Sequence, residues 1–473
     1  MNKISIHWFR SDLRVNDNPS LHFAAQNGPL TPIFILDTIN NTQKEFNLGE
    51  ASAWWLHHSL QSLDESLNNK INFFSGDPME IIKKIVSENE VESFSWNRCY
   101  SPWEIERDTE IKSFLKNKGI KTKTFNSSLL WEPWEILKDD NTPYKVFSPF
   151  YRKGCLKKHA GPRQVVDYPE NLQLNEEGIS NHKVEDLDLL SKFSWHDKLI
   201  EHWNVGEKAA MDKYVEFSQA GLTGYKDGRN FPSQPNVSVL SPHLHFGEIS
   251  PHQIWHNDKS HVPERDVAHF HSELGWREFS YYLIYHFPQM CTDNLNIKFD
   301  KFPWGQNDGF LKAWQEGKTG YPIVDAGMRQ LWQTGYMHNR VRMIVASFLV
   351  KNLLIDWRKG MEWFNDCLCD ADLANNTASW QWTAGSGADA APYFRIFNPI
   401  LQGKKFDTDG EYTKHFVPEL KNFPSKYLFA PWEAEEEVFV QAGIEYGKDY
   451  PKPIVSIEES RDIALKAYDK IKG

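Results

Sequence analysis

The first 130 residues alternate two kinds of pattern, and that alternation limits the folds open to the chain more than any other feature. Short runs rich in β-branched and aromatic residues, Ile4 to Phe9, Thr31 to Leu36, Ile71 to Phe74, Glu92 to Trp96 and Lys121 to Phe125, read as strands. Between them, Ala51 to Leu67, Pro78 to Glu88 and Trp103 to Lys118 repeat apolar residues at helical spacing. Strands that alternate with helices form parallel pairs joined by crossovers, so residues 1–130 are predicted to be a doubly wound, mostly parallel sheet. No GxGxxG or GxxxxGK[ST] follows any strand, which argues against a dinucleotide or P-loop phosphate site there. A ligand at the strand ends remains compatible with such a fold.

Residues 131–196 change character, with prolines, asparagines and acids but few periodic apolar segments, and are predicted to be a connector. Beyond about Trp203 strand signals almost vanish, so residues 197–473 are expected to form a mainly helical second domain. At 473 residues the chain is long enough for two cores. The fold class expected is therefore α/β, with an N-terminal doubly wound parallel sheet domain and a C-terminal all-helical domain. No internal repeat or low-complexity run is present, and the end, DYPKPIVSIEESRDIALKAYDKIKG, reads as one short amphipathic segment without a disordered tail.

A net charge of -11 gives no global attraction for a polyanion, so any nucleic-acid contact requires a local basic patch. Five cysteines without framework spacing point to a reducing compartment. Cys367 and Cys369 lie two apart, but no second pair completes a zinc site, and they read as ordinary thiols. The start, MNKISIHWFRSDLR, has no apolar run before its first charges, and no stretch approaches the roughly 18 apolar residues of a spanning helix. A soluble, cytoplasmic protein is expected. Nineteen tryptophans, many beside charged or amide residues, are the unusual part of the composition. Buried indoles usually need a partner for their N–H, and they stack on flat ligands.

Chemistry concentrates between Gly335 and Trp382. Val341, Ile344, Val345, Phe348 and Leu349 repeat at three and four residues and make one core face. Asn339, Arg342, Met343 and Ala346 fall in line on the other side, so something polar must meet them. Asp370, Asp372, Asn375, Asn376, Trp380 and Trp382 follow. The two acids lack a third ligand at metal spacing, and can equally hydrogen-bond ribose hydroxyls or a ring N–H. In SELGWREFSYYLIYHF, Glu273, Trp276, Arg277 and Ser280 share a helix face, as a solvated ion pair or as ligand contacts. In GYKDGRNFPSQPNVSVLSPHL, Ser238 and Ser241 precede helix-like sequence, where they can cap a helix or help hold phosphate. Trp380 and Trp382 would point to opposite sides of an extended segment. For these two, and for Trp357 and Trp304, core packing is the competing reading.

These residues carry a resemblance. The stretch GYPIVDAGMRQLWQTGYMHNRVRMIVASFLVKNLLIDW, then DADLANNTASWQW and APYFRIFNPILQGKKF, closely resembles the photolyase and cryptochrome family, and within it class I cyclobutane pyrimidine dimer photolyases. The similarity runs from HWFRSDLRVNDNPSL to the C-terminal YPKPIV, nearly the whole chain. It implies an α/β antenna domain (1–130), a connector (131–196) and a helical FAD- and DNA-binding catalytic domain (197–473).

By that resemblance FAD lies in the helical domain. Tyr225, Ser238, Leu240 and Ser241 would hold its phosphates, with Arg277, Asn339, Arg342, Asp370 and Asp372 around flavin and ribose and Asn376 beside flavin N5. The implied substrate is a cyclobutane pyrimidine dimer in UV-damaged DNA, single- or double-stranded, flipped into a pocket over the flavin. Trp276 and Trp382 would pack against the dimer, Glu273 would stabilise its anion radical, and Asn339 and Met343 would complete the floor. Arg229, Arg340 and Arg395 match phosphate contacts. The implied reaction is driven by blue light: FADH⁻ lends an electron to the dimer, the ring splits and the electron returns. Trp380, Trp357 and Trp304 match a chain that reduces FAD. A monomer, nucleoid-associated if bacterial, is implied.

Some positions depart from the family pattern. Tyr336 replaces a Trp and Val239 an Arg. For the antenna, Glu104 and Cys291 fit a folate pattern, but Trp103 and Thr292 replace an amide and a basic residue. Methenyltetrahydrofolate is the first expectation, with a deazaflavin, FMN or no pigment as alternatives. A cryptochrome photoreceptor and a (6-4) photolyase are the competing functions. The first usually loses the repair floor, and the second needs histidines where Asn339 and Met343 stand.

Overall fold

The structure is a computed structural model that describes residues 3–39, 48–158, 161–170, 172–257, 259–390 and 395–472. The APYF of the resemblance (391–394) lies outside the described residues.

Five parallel strands form one sheet: β1 (Ile4–Phe9), β2 (Leu30–Asp37), β3 (Asn72–Gly76), β4 (Val91–Asn97) and β5 (Lys121–Phe125). Their order is β3-β2-β1-β4-β5, with β1 paired in register to β2 (Ile6 with Thr31) and to β4 (Ile6 with Phe94). The crossovers are helices α1 (Pro19–Ala25), α2 (Glu50–Ser66), α3 (Pro78–Glu88) and α4 (Pro102–Asn117). Proline at the first helical position opens α1, α3 and α4, where its missing N–H costs nothing. Alternation along β1 sorts its side chains: Ile4, Ile6 and Trp8 enter a core with Ile33, Ile35, Ile82, Ile85, Phe94, Trp96, Ile111 and Leu115. On the other face His7 Nδ1 meets Ser20 Oγ at 2.9 Å and Ser93 donates to Ser5 at 3.0 Å.

The strand order reverses between β1 and β4, where such sheets commonly take ligands. Here the chain's own side chains meet. Asp12 accepts from the backbone N–H of Arg10 at 2.7 Å and from Asn97 Nδ2 at 2.5 Å. Arg10 donates to Asp108 at 2.6 Å. Burial works to raise the Asp12 carboxyl, but His7 and these donors bring it down to about 2.

Residues 131–196 carry short helical turns, such as Phe150–Cys155 and Val184–Leu187, and two isolated bridges, Leu174 to Leu30 and His182 to Phe73. From Glu207 onward the described elements are all helices and helical turns. The longest is Glu264–His286, with Glu264 and Asp266 in its first turn complementing the dipole. The chain packs as two compact units. One comprises Met1–Gln219, Ser238–Pro288 and Cys369–Ala374, the other Ala220–Val237, Gln289–Leu368 and Asn375–Gly473. No helix among the described residues is long and apolar enough to cross a membrane.

Candidate functional site

In the first unit the Glu264–His286 helix presents Glu273, Trp276 and Arg277 half-buried, as their spacing predicts. Gly275 lets Tyr151 lie against this helix, since a β-carbon there would stand 2.6 Å from the Tyr151 ring. Phe147 stacks on Tyr151 and, at 3.8 Å and 13°, on the Trp276 indole, so Trp276 is held flat. The Glu273 carboxylate lies 3.9 Å from His269, one turn away.

Arg277 donates to the Ser128 carbonyl at 2.7 Å and to Glu278 at 3.3 Å, with its guanidinium 5.0 Å from the Tyr281 ring centre. Glu278 is only 3% exposed and accepts the backbone N–H groups of Leu130 (2.8 Å) and Trp131 (3.3 Å). Burial pushes its carboxyl up to about 7, against the pull of Arg277 and the two N–H donors. The Tyr281 hydroxyl donates to Asp372, which also lies 3.6 Å from His245 Nδ1.

Ser241 is not a helix cap. It is the first residue of the short Ser241–His245 helix, Leu240 stands at the cap position, and the Ser241 hydroxyl donates to Asp370 at 2.5 Å. Ser238 is half-buried just before it, and Val239 adopts φ 53°, a conformation strained for a β-branched residue. Hydroxyls, carboxylates and a guanidinium of this unit thus meet in pairs, with Asp370 and Asp372 accepting from hydroxyls. Among the described residues no group of three His, Cys, Asp or Glu side chains is placed to hold a metal.

In the second unit Gly335, at φ 66°, closes the Pro322–Thr334 helix, and His338 caps the Asn339–Ser347 helix by accepting the Arg340 N–H at 3.1 Å. Val341, Ile344, Val345, Phe348 and Leu349 are all at most 1% exposed, which gives the predicted core face. Asn339 is exposed, and Arg342 and Met343 are half-buried. Arg342 donates to the Met337 carbonyl at 2.7 Å and lies over Tyr336. Arg340 donates to Asn230 at 2.5 Å and packs its guanidinium 4.5 Å from the Phe406 ring. Arg229 lies over the buried Tyr225, and Arg395 over Phe397. Burial first, then Arg229, Arg340 and Arg342, hold His338 down at about 3. Burial and the charges of Arg229 and Arg395 also lower Arg340. A basic cluster therefore exists in an acidic chain.

Trp380 and Trp382 do not lie in an extended segment: both sit on the Leu373–Ala384 helix, whose backbone satisfies its own polar groups. Trp380 is 2% exposed, edge-on to Phe364 at 5.0 Å and to Trp314 at 6.2 Å, and Gly360 admits its ring. Trp382 is half-buried. Trp357 is fully buried on the Trp357–Cys367 helix, while Trp304 is half-buried beside Phe302 at 4.4 Å. Asn376 donates from Nδ2 to the Met361 carbonyl at 3.1 Å. Glu104, on α4, is half-buried and 3.9 Å from Arg107. Cys291 is 2% exposed, and burial pushes its thiol up to about 12.

Glu278, Tyr281, Asn294 and Gly360 escaped the reading of the sequence. Glu278 is adjacent to Arg277 rather than three or four residues away, and Asp372, Trp357 and Trp380, which meet Tyr281, Asn294 and Gly360, lie far off in the chain.

The description "DNA photolyase" matches residues 5–170, and "FAD binding domain of DNA photolyase" matches residues 270–470. A deoxyribodipyrimidine photo-lyase of Agrobacterium fabrum is 46% identical over 475 residues, 99% of this chain and 98% of that one. Cryptochrome-1 of Arabidopsis thaliana is 35% identical over 97% of this chain and 69% of its own length. The crystal structure of a bacterial class III photolyase from Agrobacterium tumefaciens superposes with a TM-score of 0.95 at 45% identity, covering 100% of this chain and 98% of that one. The class I label suggested by the motifs is thus not carried by these likenesses, whereas the family and its two-part fold are. This chain belongs to the photolyase and cryptochrome family, and it carries the FAD-binding domain of DNA photolyase.

Proposed function

We propose that the protein is a light-driven DNA repair enzyme that splits cyclobutane pyrimidine dimers, working as a monomer in the cytoplasm. The observation that carries the DNA-binding part is the cluster of Arg229, Arg340 and Arg395, in which the charges of Arg229 and Arg395 act on Arg340, in a chain of net charge -11. A deoxyribodipyrimidine photo-lyase relative at 46% identity supports the reaction.

FAD, when bound and reduced, supplies the photoexcited electron that breaks the dimer. Ser238, Ser241, Leu240 and Tyr225 are assigned to its phosphates, and Arg277, Asp370, Asp372, Asn339 and Arg342 to ribose and ring. The donor chemistry fits: Asp370 and Asp372 accept from Ser241 and Tyr281 as they would from ribose hydroxyls. Asn376, oriented by one N–H donated to Met361, is assigned to the flavin ring.

Trp276 and Trp382 are assigned to the flipped dimer, and Asn339 and Met343 to the floor beneath it. Glu273 stabilises charge that develops on the pyrimidine carbonyl. Trp380, Trp357 and Trp304 relay electrons that restore the reduced cofactor. The functional domains are proposed as 1–130, 131–196 and 197–473. Methenyltetrahydrofolate is the proposed antenna, with Glu104 and Cys291 assigned to it.

Glu273→Ala tests the assignment. Single flashes on a protein–dimer complex should split far fewer dimers per photon, about tenfold or more, while dimer affinity changes less. Equal yields in the two proteins would remove Glu273 from the mechanism.

A further inference from the structure

The indole N–H of Trp357 donates to Oδ1 of Asn294 at 3.0 Å, and Nδ2 of Asn294 donates to Asp300 at 2.8 Å. Trp357 is fully buried and Asn294 is 4% exposed, while Asp300 faces solvent. The two partners fix the amide in one orientation, because an indole N–H can only donate and a carboxylate can only accept. Asp300 sits on the Ile297–Lys301 turn, pinned by Phe299 in a cluster with Phe302, Ala464, Ala467 and Ile471. A cation also approaches the ring: the Arg358 guanidinium lies 4.6 Å from its centre. That charge is matched by Asp356 at 3.1 Å, and Arg358 is further held by the Thr292 carbonyl at 2.7 Å. The pair Asn294 and Asp300 is what acts on the indole nitrogen itself.

We propose that Asn294, backed by Asp300, is a positioning residue that keeps Trp357 protonated while it is oxidised. This rests on the reading of Trp357 as the middle carrier of the tryptophan relay. The primary one-electron oxidant is photoexcited oxidised flavin. In the step at issue one electron leaves the Trp357 ring for oxidised Trp380, no bond breaks, and Trp357 becomes a radical cation. An electron from Trp304 then returns it to the neutral indole.

A radical cation is strongly acidic at its N–H. A carboxylate facing that N–H would take the proton and leave a neutral radical, which must recover a proton before it can be refilled. A carboxamide oxygen is too weak a base to do so. It still accepts the hydrogen bond, and its dipole, reinforced by the Asp300 charge, favours the cation over the neutral ring.

Flash excitation of the flavin-loaded protein, followed by transient absorption, separates protonated from deprotonated indole radicals without measuring repair. In wild type the protonated radical should persist until it is refilled. Asn294→Asp should convert it to the deprotonated form at least tenfold faster. Asn294→Leu should lower the yield of Trp357 oxidation by about tenfold, the size of one hydrogen bond strengthened by charge. Asp300→Asn, at an exposed site that tolerates change, should shift the yield the same way by a smaller factor, roughly threefold.

Wild-type radical kinetics in both Asn294→Asp and Asp300→Asn would overturn the proposal. Trp357→Phe distinguishes the two levels of failure. If it leaves photoreduction intact, the relay reading falls and this role falls with it. If it blocks photoreduction while the Asn294 and Asp300 variants behave as wild type, only the role of Asn294 is lost.

Discussion

Replacing Gly360 by alanine sets two effects of opposite sign against each other. Gly360 lies inside the Trp357–Cys367 helix, where alanine is the better helix former by about 0.8–1.0 kcal/mol. On the backbone alone the substitution should stabilise. A β-carbon at this position would, however, stand 2.1, 2.5 and 2.6 Å from three carbons of the Trp380 ring. Carbon atoms normally approach to about 3.5–4.0 Å, so the overlap exceeds an ångström. The ring is rigid and 2% exposed, with Phe364 and Trp314 already against it. Overpacking of this kind costs about 1–3 kcal/mol, and a rigid neighbour puts it at the upper end. The net expectation is a loss of about 2 kcal/mol. Urea unfolding followed by tryptophan fluorescence reads it as a lower midpoint at unchanged slope. The photoreduction yield should fall with it, because the displaced ring is the proposed inner carrier. A Gly360→Ala protein as stable as wild type or more so would refute the packing argument.

Glu278 makes stability fall as pH rises. Its folded-state carboxyl, raised by burial to about 7, lies above the ordinary 4.5, so its contribution is intact below about 4.5 and is lost as pH climbs through 7. The full loss is on the order of 3 kcal/mol, and Glu278→Gln should flatten it in denaturation curves measured at pH 5 and pH 8. Arg340→Gln should weaken binding of damaged and undamaged DNA alike and lower the salt slope by about 1, measured by titration at several salt concentrations.

The sheet was legible almost to the residue. Strands of β-branched and aromatic residues between helical segments leave few alternatives, and the observed ends of β1 and β5 coincide with those read from the sequence. Helix α1 was missed: seven residues with Pro19 at the start give too little periodicity, and it is held by Asn18 and by burial against the sheet. The polar faces around Arg277 and Arg342 were legible because i, i+3 and i+4 spacing survives in any helix. Their partners were not, since Ser128, Leu130 and Met337 contribute backbone groups that any residue carries. Trp380 and Trp382 were misjudged because two indoles alternating over three residues suit a strand as well as a helix. The surrounding Leu373–Ala384 segment, rich in alanine and amides, forms the helix. Gly360 reads as a helix weakness until the ring that fills its place is known.

Repair of an oligonucleotide containing one cyclobutane dimer, by photoreduced protein in matched blue-light and dark samples, tests the central claim most directly. Restoration of intact pyrimidines in the light alone, with a (6-4) photoproduct left untouched, is the expected result. Bound flavin without dimer splitting in the light would contradict the repair reading and leave the photoreceptor one standing.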